Sequence, residues 1–233
     1  MIDLRLGDCL KVMKTIKDNS IDAIITDPPY GTTACKWDSI IDFDLMWEQL
    51  NRIIKPNGAI VLFGSEPFSS ALRMSNIKNY KYDWIWQKNA PSGSLNANRM
   101  PMKLHENISV FYKKQCTYNP QKTKGKMQKK GGCVGGGAYG STKSKTYVND
   151  LYFPLSIQLF KKVAGAKKIH TTEKPIALME YLIKTYTNEN ETVLDFTMGS
   201  GSTGVSAKNL NRNFIGIEMD ENYFNIAKNR INL

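Results

Sequence analysis

Asp195-Phe196-Thr197-Met198-Gly199-Ser200-Gly201-Ser202-Thr203-Gly204 follows a short apolar run, Thr192-Val193-Leu194-Asp195, and precedes a helix-like stretch reaching about Leu210. The expectation is strand, glycine turn, helix. Gly199, Gly201 and Gly204 form a G-x-G-x-x-G spacing in the setting that makes it meaningful. Glycines let the backbone approach a ligand closely, and a helix N-terminus favours a negative group. Asn213-Phe214-Ile215-Gly216-Ile217-Glu218 reads as the next strand and places Glu218 23 residues after Asp195. An acid at that strand end accepts hydrogen bonds from two ribose hydroxyls. The pair of signals points to an adenosine-bearing cofactor and leaves a dinucleotide and S-adenosylmethionine both open. Asp195, Phe196, Gly199, Gly201, Ser202, Thr203 and Glu218 are the candidate contacts. The plainer alternative is a set of tight-turn glycines with a solvated Glu218.

The same alternation extends outward. Ile21-Asp22-Ala23-Ile24-Ile25-Thr26 is an apolar run stopped by two prolines, as a buried strand would be. Phe43, Met46, Trp47, Leu50, Ile53 and Ile54 recur at helical spacing and predict a helix over about 42–55, halted by Lys55-Pro56-Asn57-Gly58. Ala59–Phe63 is a further buried strand, and Trp84–Trp86 and Ile108–Tyr112 predict two more, adjacent and antiparallel. Pro175 opens a helix burying Ile176, Leu178, Met179, Leu182 and Ile183, and Asp220 caps a final one. Strands and helices joined by short connections predict an α/β fold: a Rossmann-like, doubly wound, mostly parallel sheet with helices on both faces.

Residues 113–168 differ in character. They hold 13 lysines against one acid, Asp150, a net +12 in a chain whose formal charge is +11. Glycines crowd positions 131–140, and no strand or helix period holds. The segment reads as an irregular basic insertion rather than a packed element, and such a lobe on a near-neutral body suits a polyanion, the alternative being a solvated loop. The expected division is therefore 1–112 and 169–233 as one catalytic and cofactor-binding domain, with 113–168 as a target-recognition insertion. Cys9, Cys35, Cys116 and Cys133 form no CxxC pair and no cluster with histidine, so no metal and no disulfide framework is expected. Free thiols fit a reducing cytoplasm, and no stretch has the length of a membrane span.

Asp27-Pro28-Pro29-Tyr30, directly after a buried strand, carries the chemistry. The prolines fix the backbone and remove two N–H donors. The Asp27 carboxylate and the Pro28 carbonyl then present two acceptors side by side, which suits an –NH2 group. An exocyclic amine on a nucleobase is a poor nucleophile because its lone pair is delocalised into the ring. Acceptors pulling on both hydrogens favour the pyramidal nitrogen, which can attack a methylsulfonium in line, and Asp27 stabilises the charge that develops. Tyr30 offers a face for a planar base. No catalytic histidine is needed. A base inside a duplex cannot be reached, so the nucleotide must be flipped out, and phosphate contacts from the basic insertion would offset that cost.

With these elements in place, the chain resembles the amino-group (N6-adenine and N4-cytosine) DNA methyltransferases of restriction–modification systems and phages over nearly its full length. The catalytic tetrapeptide comes first, a variable region second and the cofactor loop last, an order similar to the family's beta group. The resemblance implies S-adenosylmethionine as cofactor and double-stranded DNA as partner. It also implies a homodimer, a cognate restriction enzyme, and a bacterial or phage-encoded protein working in the cytoplasm at the nucleoid. Gly7-Asp8-Cys9 is similar to a Gly-Asp element whose acid contacts the cofactor's adenine; Asp8 is equally suited to cap a helix. His170-Thr171-Thr172-Glu173-Lys174-Pro175 resembles a family motif in which the lysine faces the methionine carboxylate. Two departures stand out. Thr171 replaces a proline, and Asp195-Phe196-Thr197 sets the aromatic one place earlier than the family's Asp-Pro-Phe.

The rivals explain less. A C5-cytosine enzyme needs a nucleophilic cysteine after proline, and the four cysteines follow Asp, Ala, Gln and Gly. Protein glutamine methyltransferases carry a similar tetrapeptide after the cofactor loop. An NAD-binding oxidoreductase accounts for the glycine loop and Glu218 and leaves Asp27–Tyr30 unused. A non-catalytic DNA-binding protein accounts for charge alone. Within the family, Asp at the first position leans to N6-adenine, with N4-cytosine as the alternative.

Overall fold

The computed structural model describes residues 1–32, 38–130, 147–163 and 173–232. Its described residues form two units, Met1–Asn119 with Ser156–Leu233, and Pro120–Leu155.

In the larger unit the first segments are β1 (Ile2–Leu6), α1 (Cys9–Met13), β2 (Ile21–Thr26), α2 (Phe43–Ile53), β3 (Ile54–Gly64) and α3 (Phe68–Ser75). The hairpin strands β4 (Tyr80–Ser92) and β5 (Lys103–Phe111) follow. The smaller unit holds β6 (Thr123–Lys130) and β7 (Tyr147–Tyr152). The larger unit resumes with β8 (Ile157–Leu159), α4 (Ile176–Tyr186), β9 (Thr192–Asp195), α5 (Ser202–Asn209), β10 (Asn213–Glu218) and α6 (Glu221–Asn232). Eight strands make one sheet in the order β1-β10-β9-β2-β3-β5-β4-β8. The run from β1 to β3 is parallel, β5 is antiparallel to both its neighbours, and β8 lies parallel to β4 at the edge.

Strand alternation splits the core in two. Ala23, Ile25, Val61, Phe63, Val193 and Phe214 face a layer built from α4, α5 and α6, with Leu182, Ala207 and Ile231 packed against them. Ile24, Ile60, Leu62, Leu194, Ile215 and Ile217 face the other layer, where α1, α2 and α3 contribute Met13, Leu50 and Leu72. Period-2 strands with both faces apolar are what a sheet covered on both sides requires, and the expected Rossmann-like architecture is the one observed.

The expected helix over about 42–55 spans Phe43–Ile53, capped by Asp42, whose Oδ1 accepts from Leu45 N at 3.0 Å. Lys55–Gly58 ends it as expected and also opens β3. The ladder pairs Ile21 with Ile54 and then Ala23 with Ala59, so these four residues bulge out where Pro56 offers no N–H. Asp220 caps α6, accepting from Tyr223 N at 3.0 Å. Among the described residues no helix is long and apolar enough to cross a membrane, and no cluster of His, Cys, Asp and Glu could hold a metal ion.

The described residues of the 113–168 stretch are more regular than their composition suggests. The separate unit is the narrower Pro120–Leu155, in which β6 and β7 pair antiparallel, and Tyr152 Oη donates to the Lys126 carbonyl at 2.8 Å. A two-stranded ribbon is held by its backbone ladder and covers no core, so it leaves no period-2 apolar signal. β8 is too short to leave one. The glycines at 131–140 lie outside the described residues.

Candidate active site

Ligands of open α/β sheets bind outside the carboxyl ends of the strands, where the chain order reverses. Here β2 and β9 are neighbours, pairing Ala23 with Val193 and Ile24 with Leu194, and one runs into Asp27–Tyr30 while the other runs into the glycine loop. A cavity of about 510 Å³ lies over this edge. Asp8, Cys9, Asp27, Pro28, Pro29, Tyr30, Lys174, Asp195, Phe196, Gly199, Ser202, Thr203 and Glu218 all line it.

Gly201 is the one proposed contact that does not line the cavity. It sits at φ 81°, and a Cβ there would stand 3.0 Å from Ala227 Cβ and Ile231 Cδ1. At Gly204 a Cβ would stand 2.4 Å from Ile231 Cδ1. These two glycines serve the close packing of α5 on α6, which G-x-G-x-x-G arithmetic does not separate from ligand approach.

Asp195 and Thr197 tie the two loops together. The Asp195 carboxylate is buried and receives the Thr26 hydroxyl at 2.5 Å, the Thr203 hydroxyl at 2.5 Å and Thr197 N at 3.1 Å. Burial pushes its pKa up to about 6 against those bonds. Thr197 Oγ1 reaches the Asp27 carbonyl at 3.1 Å and Thr26 Oγ1 at 2.6 Å. Asp195 therefore organises the loop. Phe196 is 1% exposed and belongs to the core under α1–α3, leaving the polar bridging position to Thr197.

Glu218, at the end of β10, accepts from Gly199 N, Met219 N and Asp220 N, each at 2.9 Å. Burial raises its pKa, with the three N–H groups pulling the other way. Asp8 caps α1, receiving Leu10 N at 2.8 Å and Lys11 N at 3.2 Å, while still lining the cavity. Burial pushes the Cys9 thiol up to about 12, so it stays protonated. Asp38, for which the sequence carries no signal, shapes the tetrapeptide loop by accepting from Tyr30 N at 2.8 Å, Gly31 N at 2.9 Å and Thr32 N at 2.9 Å.

The Asp27 carboxylate receives the Tyr30 hydroxyl and the Lys174 ammonium. Burial raises the Asp27 pKa, Lys174 lowers it and Glu106 raises it, with a net rise. Burial and the Asp27 charge hold the Tyr30 hydroxyl well above its ordinary value. The Tyr30 ring leans on Phe68, centroids 4.9 Å apart. The resemblance implies a ligand carboxylate for Lys174; its ammonium contacts Asp27 and lies 3.4 Å from Glu106 Oε2. Glu106 and its partner Lys88 leave no signal in the sequence. Of the preceding motif, Glu173 pairs with Arg230 at 2.5 Å, and His170–Thr172 lie outside the described residues.

Among the described residues eight acids line the cavity, Asp8, Asp27, Asp38, Asp42, Glu173, Asp195, Glu218 and Asp220, against one base, Lys174. Such a wall suits a ligand carrying hydroxyls and positive charge. It is a poor match for a dinucleotide's pyrophosphate.

The family model described as DNA methylase, for N6 and N4 methyltransferases, matches residues 21–229. The type II methyltransferase M.HpaI of Haemophilus parainfluenzae is 31% identical over 99% of this chain and 74% of its own length. M.HinfI of Haemophilus influenzae is 30% identical over 97% of this chain and 67% of its own. Among solved structures, M1.HpyAVI in its SAM complex is 32% identical and superposes with a TM-score of 0.71, each chain covered to 100%. The cytosine-N4-specific PvuII DNA methyltransferase shares the fold with a TM-score of 0.71 at 16% identity, covering 98% of this chain and 86% of its own. Family match, fold and the acid-lined cleft agree: the chain belongs to the amino-group, N6/N4-type DNA methylase family.

Proposed function

We propose that this chain transfers a methyl group from S-adenosylmethionine to the exocyclic amine of a base flipped out of double-stranded DNA. The observation that carries the reading is the convergence of Asp27, Tyr30, Asp8 and Glu218 on one acid-rich cleft at the carboxyl edge of the sheet. The SAM complex of M1.HpyAVI supports the cofactor. The cofactor supplies a methyl group on a sulfonium, and the residues present fit it. Glu218 would take the ribose hydroxyls, Asp8 the adenine amine, and the acid walls the positive charges. The first turn of α5, at Ser202 and Thr203, would take the carboxylate through the positive end of the helix.

The chain's own residues then do three things. Asp27 Oδ and the Pro28 carbonyl hold the two hydrogens of the amine and localise its lone pair. Tyr30 steadies Asp27 through its hydroxyl and, backed by Phe68, gives the base a face. Thr197 fixes the backbone of Asp27 beside the cofactor loop. The methyl carbon forms its bond to nitrogen as its bond to sulfur breaks, and the nitrogen afterwards releases one proton to water.

The family's two target bases, adenine and cytosine, carry such an amine. Asp27 at the first position of the tetrapeptide leans to N6 of adenine on resemblance alone. The cytosine-N4-specific PvuII enzyme speaks for N4 of cytosine, and the fold accommodates both. The type II relatives support a restriction–modification setting with a cognate endonuclease as partner. The test is incubation with methyl-labelled S-adenosylmethionine and unmodified genomic DNA, followed by nucleoside mass spectrometry. Label in N6-methyladenine or N4-methylcytosine chooses the base. Label in 5-methylcytosine, or in none, removes the reading.

A further inference from the structure

Four charged side chains stand in line behind the tetrapeptide. Asp27 contacts Lys174; Lys174 Nζ lies 3.4 Å from Glu106 Oε2; Glu106 Oε1 lies 2.6 Å from Lys88 Nζ. Their side chains are 20%, 8%, 15% and 11% exposed, so water screens them little. Aromatic faces close the row, with the Phe63 ring 5.0 Å from Lys174 Nζ and the Trp86 ring 5.1 Å from Lys88 Nζ. Glu106 sits near the start of β5 opposite Trp86 of β4, held by the hairpin rather than by a loop. Its Oε2 is buried and makes no hydrogen bond; it faces Lys174 charge to charge.

A carboxylate matched one-to-one with a buried ammonium is neutral as a pair and has little charge left for a cationic transition state. A second carboxylate on the far side of the same ammonium, itself paired with Lys88, gives Lys174 an alternative partner. Resting on the functional reading above, we infer that Glu106 is a positioning residue: it takes Lys174 as its own counter-ion, so that Asp27 can exchange the ammonium for the amine of the incoming base. Lys88 anchors Glu106 for this task. The ionisation balance agrees. Burial would raise the Glu106 carboxyl, yet Lys174 and Lys88 outweigh burial and hold it below the usual carboxylate range. Burial would lower Lys174, yet Asp27 and Glu106 outweigh it and hold the ammonium above its ordinary value. Among the described residues, the charged or titratable groups that face Asp27 are Lys174, Glu106, Tyr30 and, across the strand pair, Asp195.

The test is Glu106→Gln, with two readouts. In the cofactor-free protein, 13C-carboxyl NMR follows Asp27, assigned with Asp27→Asn. Loss of the like charge is expected to move its midpoint down by about one pH unit or more. In the assay, kcat is expected to fall about tenfold or more while S-adenosylmethionine affinity holds within about twofold. Glu106→Asp, which keeps the charge, should restore both, and it also serves if the Gln variant does not fold. Because Glu106 acts through Lys174, Glu106→Gln added to Lys174→Gln should cost little more than Lys174→Gln alone. An unmoved Asp27 midpoint, an Asp variant as impaired as Gln, or multiplicative losses in the double variant would each overturn the inference. Wild-type protein that methylates no DNA would sink the functional reading instead, and the NMR titration would still decide the role of Glu106.

Discussion

Asp195 and Thr26 meet oxygen to oxygen at 2.5 Å, across the pairing of β9 with β2. The contact belongs to a chain with a proton shortage. Asp195–Thr26, Thr26–Thr197, Thr197–Asp27 carbonyl and Thr203–Asp195 are four oxygen contacts, at 2.5, 2.6, 3.1 and 2.5 Å, served by three threonine hydroxyls. Each hydroxyl donates one proton. A proton on Asp195 completes the set, in keeping with its pKa near 6.

This gives stability a signed pH dependence. A carboxyl raised from an unfolded value of about 3.9 binds more protons folded than unfolded, so its contribution falls as pH rises from about 4 to about 6, and the loss above that is on the order of 3 kcal/mol. Asp195→Asn can give its amide N–H to Thr26 and take the Thr203 hydroxyl on its oxygen without ionising. Thermal melts from acid to neutral pH should show a flatter slope for the variant and a higher Tm at neutral pH. A variant less stable than wild type at every pH would refute the proton count.

Tyr30→Phe isolates the hydroxyl that Asp27 receives while leaving the ring on Phe68. A hydrogen bond to a charged group contributes about 1.5–3 kcal/mol, so kcat should drop about 10- to 100-fold with DNA affinity little changed. Tyr30→Ala should lose affinity as well. Equal DNA affinities for the Phe and Ala variants would argue against the ring as the base platform.

Arg230 reaches from α6 to three places at once. It donates to Glu173 at 2.5 Å, to the Ser200 carbonyl at 3.2 Å and to Ser202 Oγ at 3.3 Å. Glu173 is 3% exposed at its side chain, so Arg230→Met takes the guanidinium away from a buried carboxylate. Urea unfolding should report a loss of about 3 kcal/mol, and cofactor affinity should weaken because the glycine loop loses its clamp. Glu173→Gln in the same background should recover part of the stability.

The exposed lysines Lys122, Lys126 and Lys129 accompany the β6–β7 ribbon, a shape that fits the major groove. Replacing each by Gln should weaken binding to all DNA sequences alike. It should also lower the slope of log K against log salt by about one for each phosphate left without its lysine. A salt-independent affinity would remove the smaller unit from the DNA surface.

Legibility in the sequence follows the range of the interaction. Asp27–Tyr30 and the 195–204 loop can be placed because a strand, a breaker and a helix leave local marks. Asp220 is equally plain as a cap. Glu106, by contrast, is an ordinary acid in a strand until β4, β5 and Lys174 are folded around it. The Thr197–Asp27 contact spans 170 residues and obeys no period. Resemblance points Lys174 at a ligand, and only the folded sheet reveals the two acids beside it. Gly201 and Gly204 look like ligand glycines, and the reason for them is Ile231, near the far end of the chain.

The pairing of β2 with β9 has a consequence for synthesis. The tetrapeptide leaves the ribosome early, yet Thr197, Asp195 and Glu218 follow more than 160 residues later. A nascent chain therefore displays Asp27 without the backbone clamp or the cofactor pocket that make it useful. On this reading methyl transfer has to wait for β9 and β10, and a chain broken off before β9 is expected to be chemically silent.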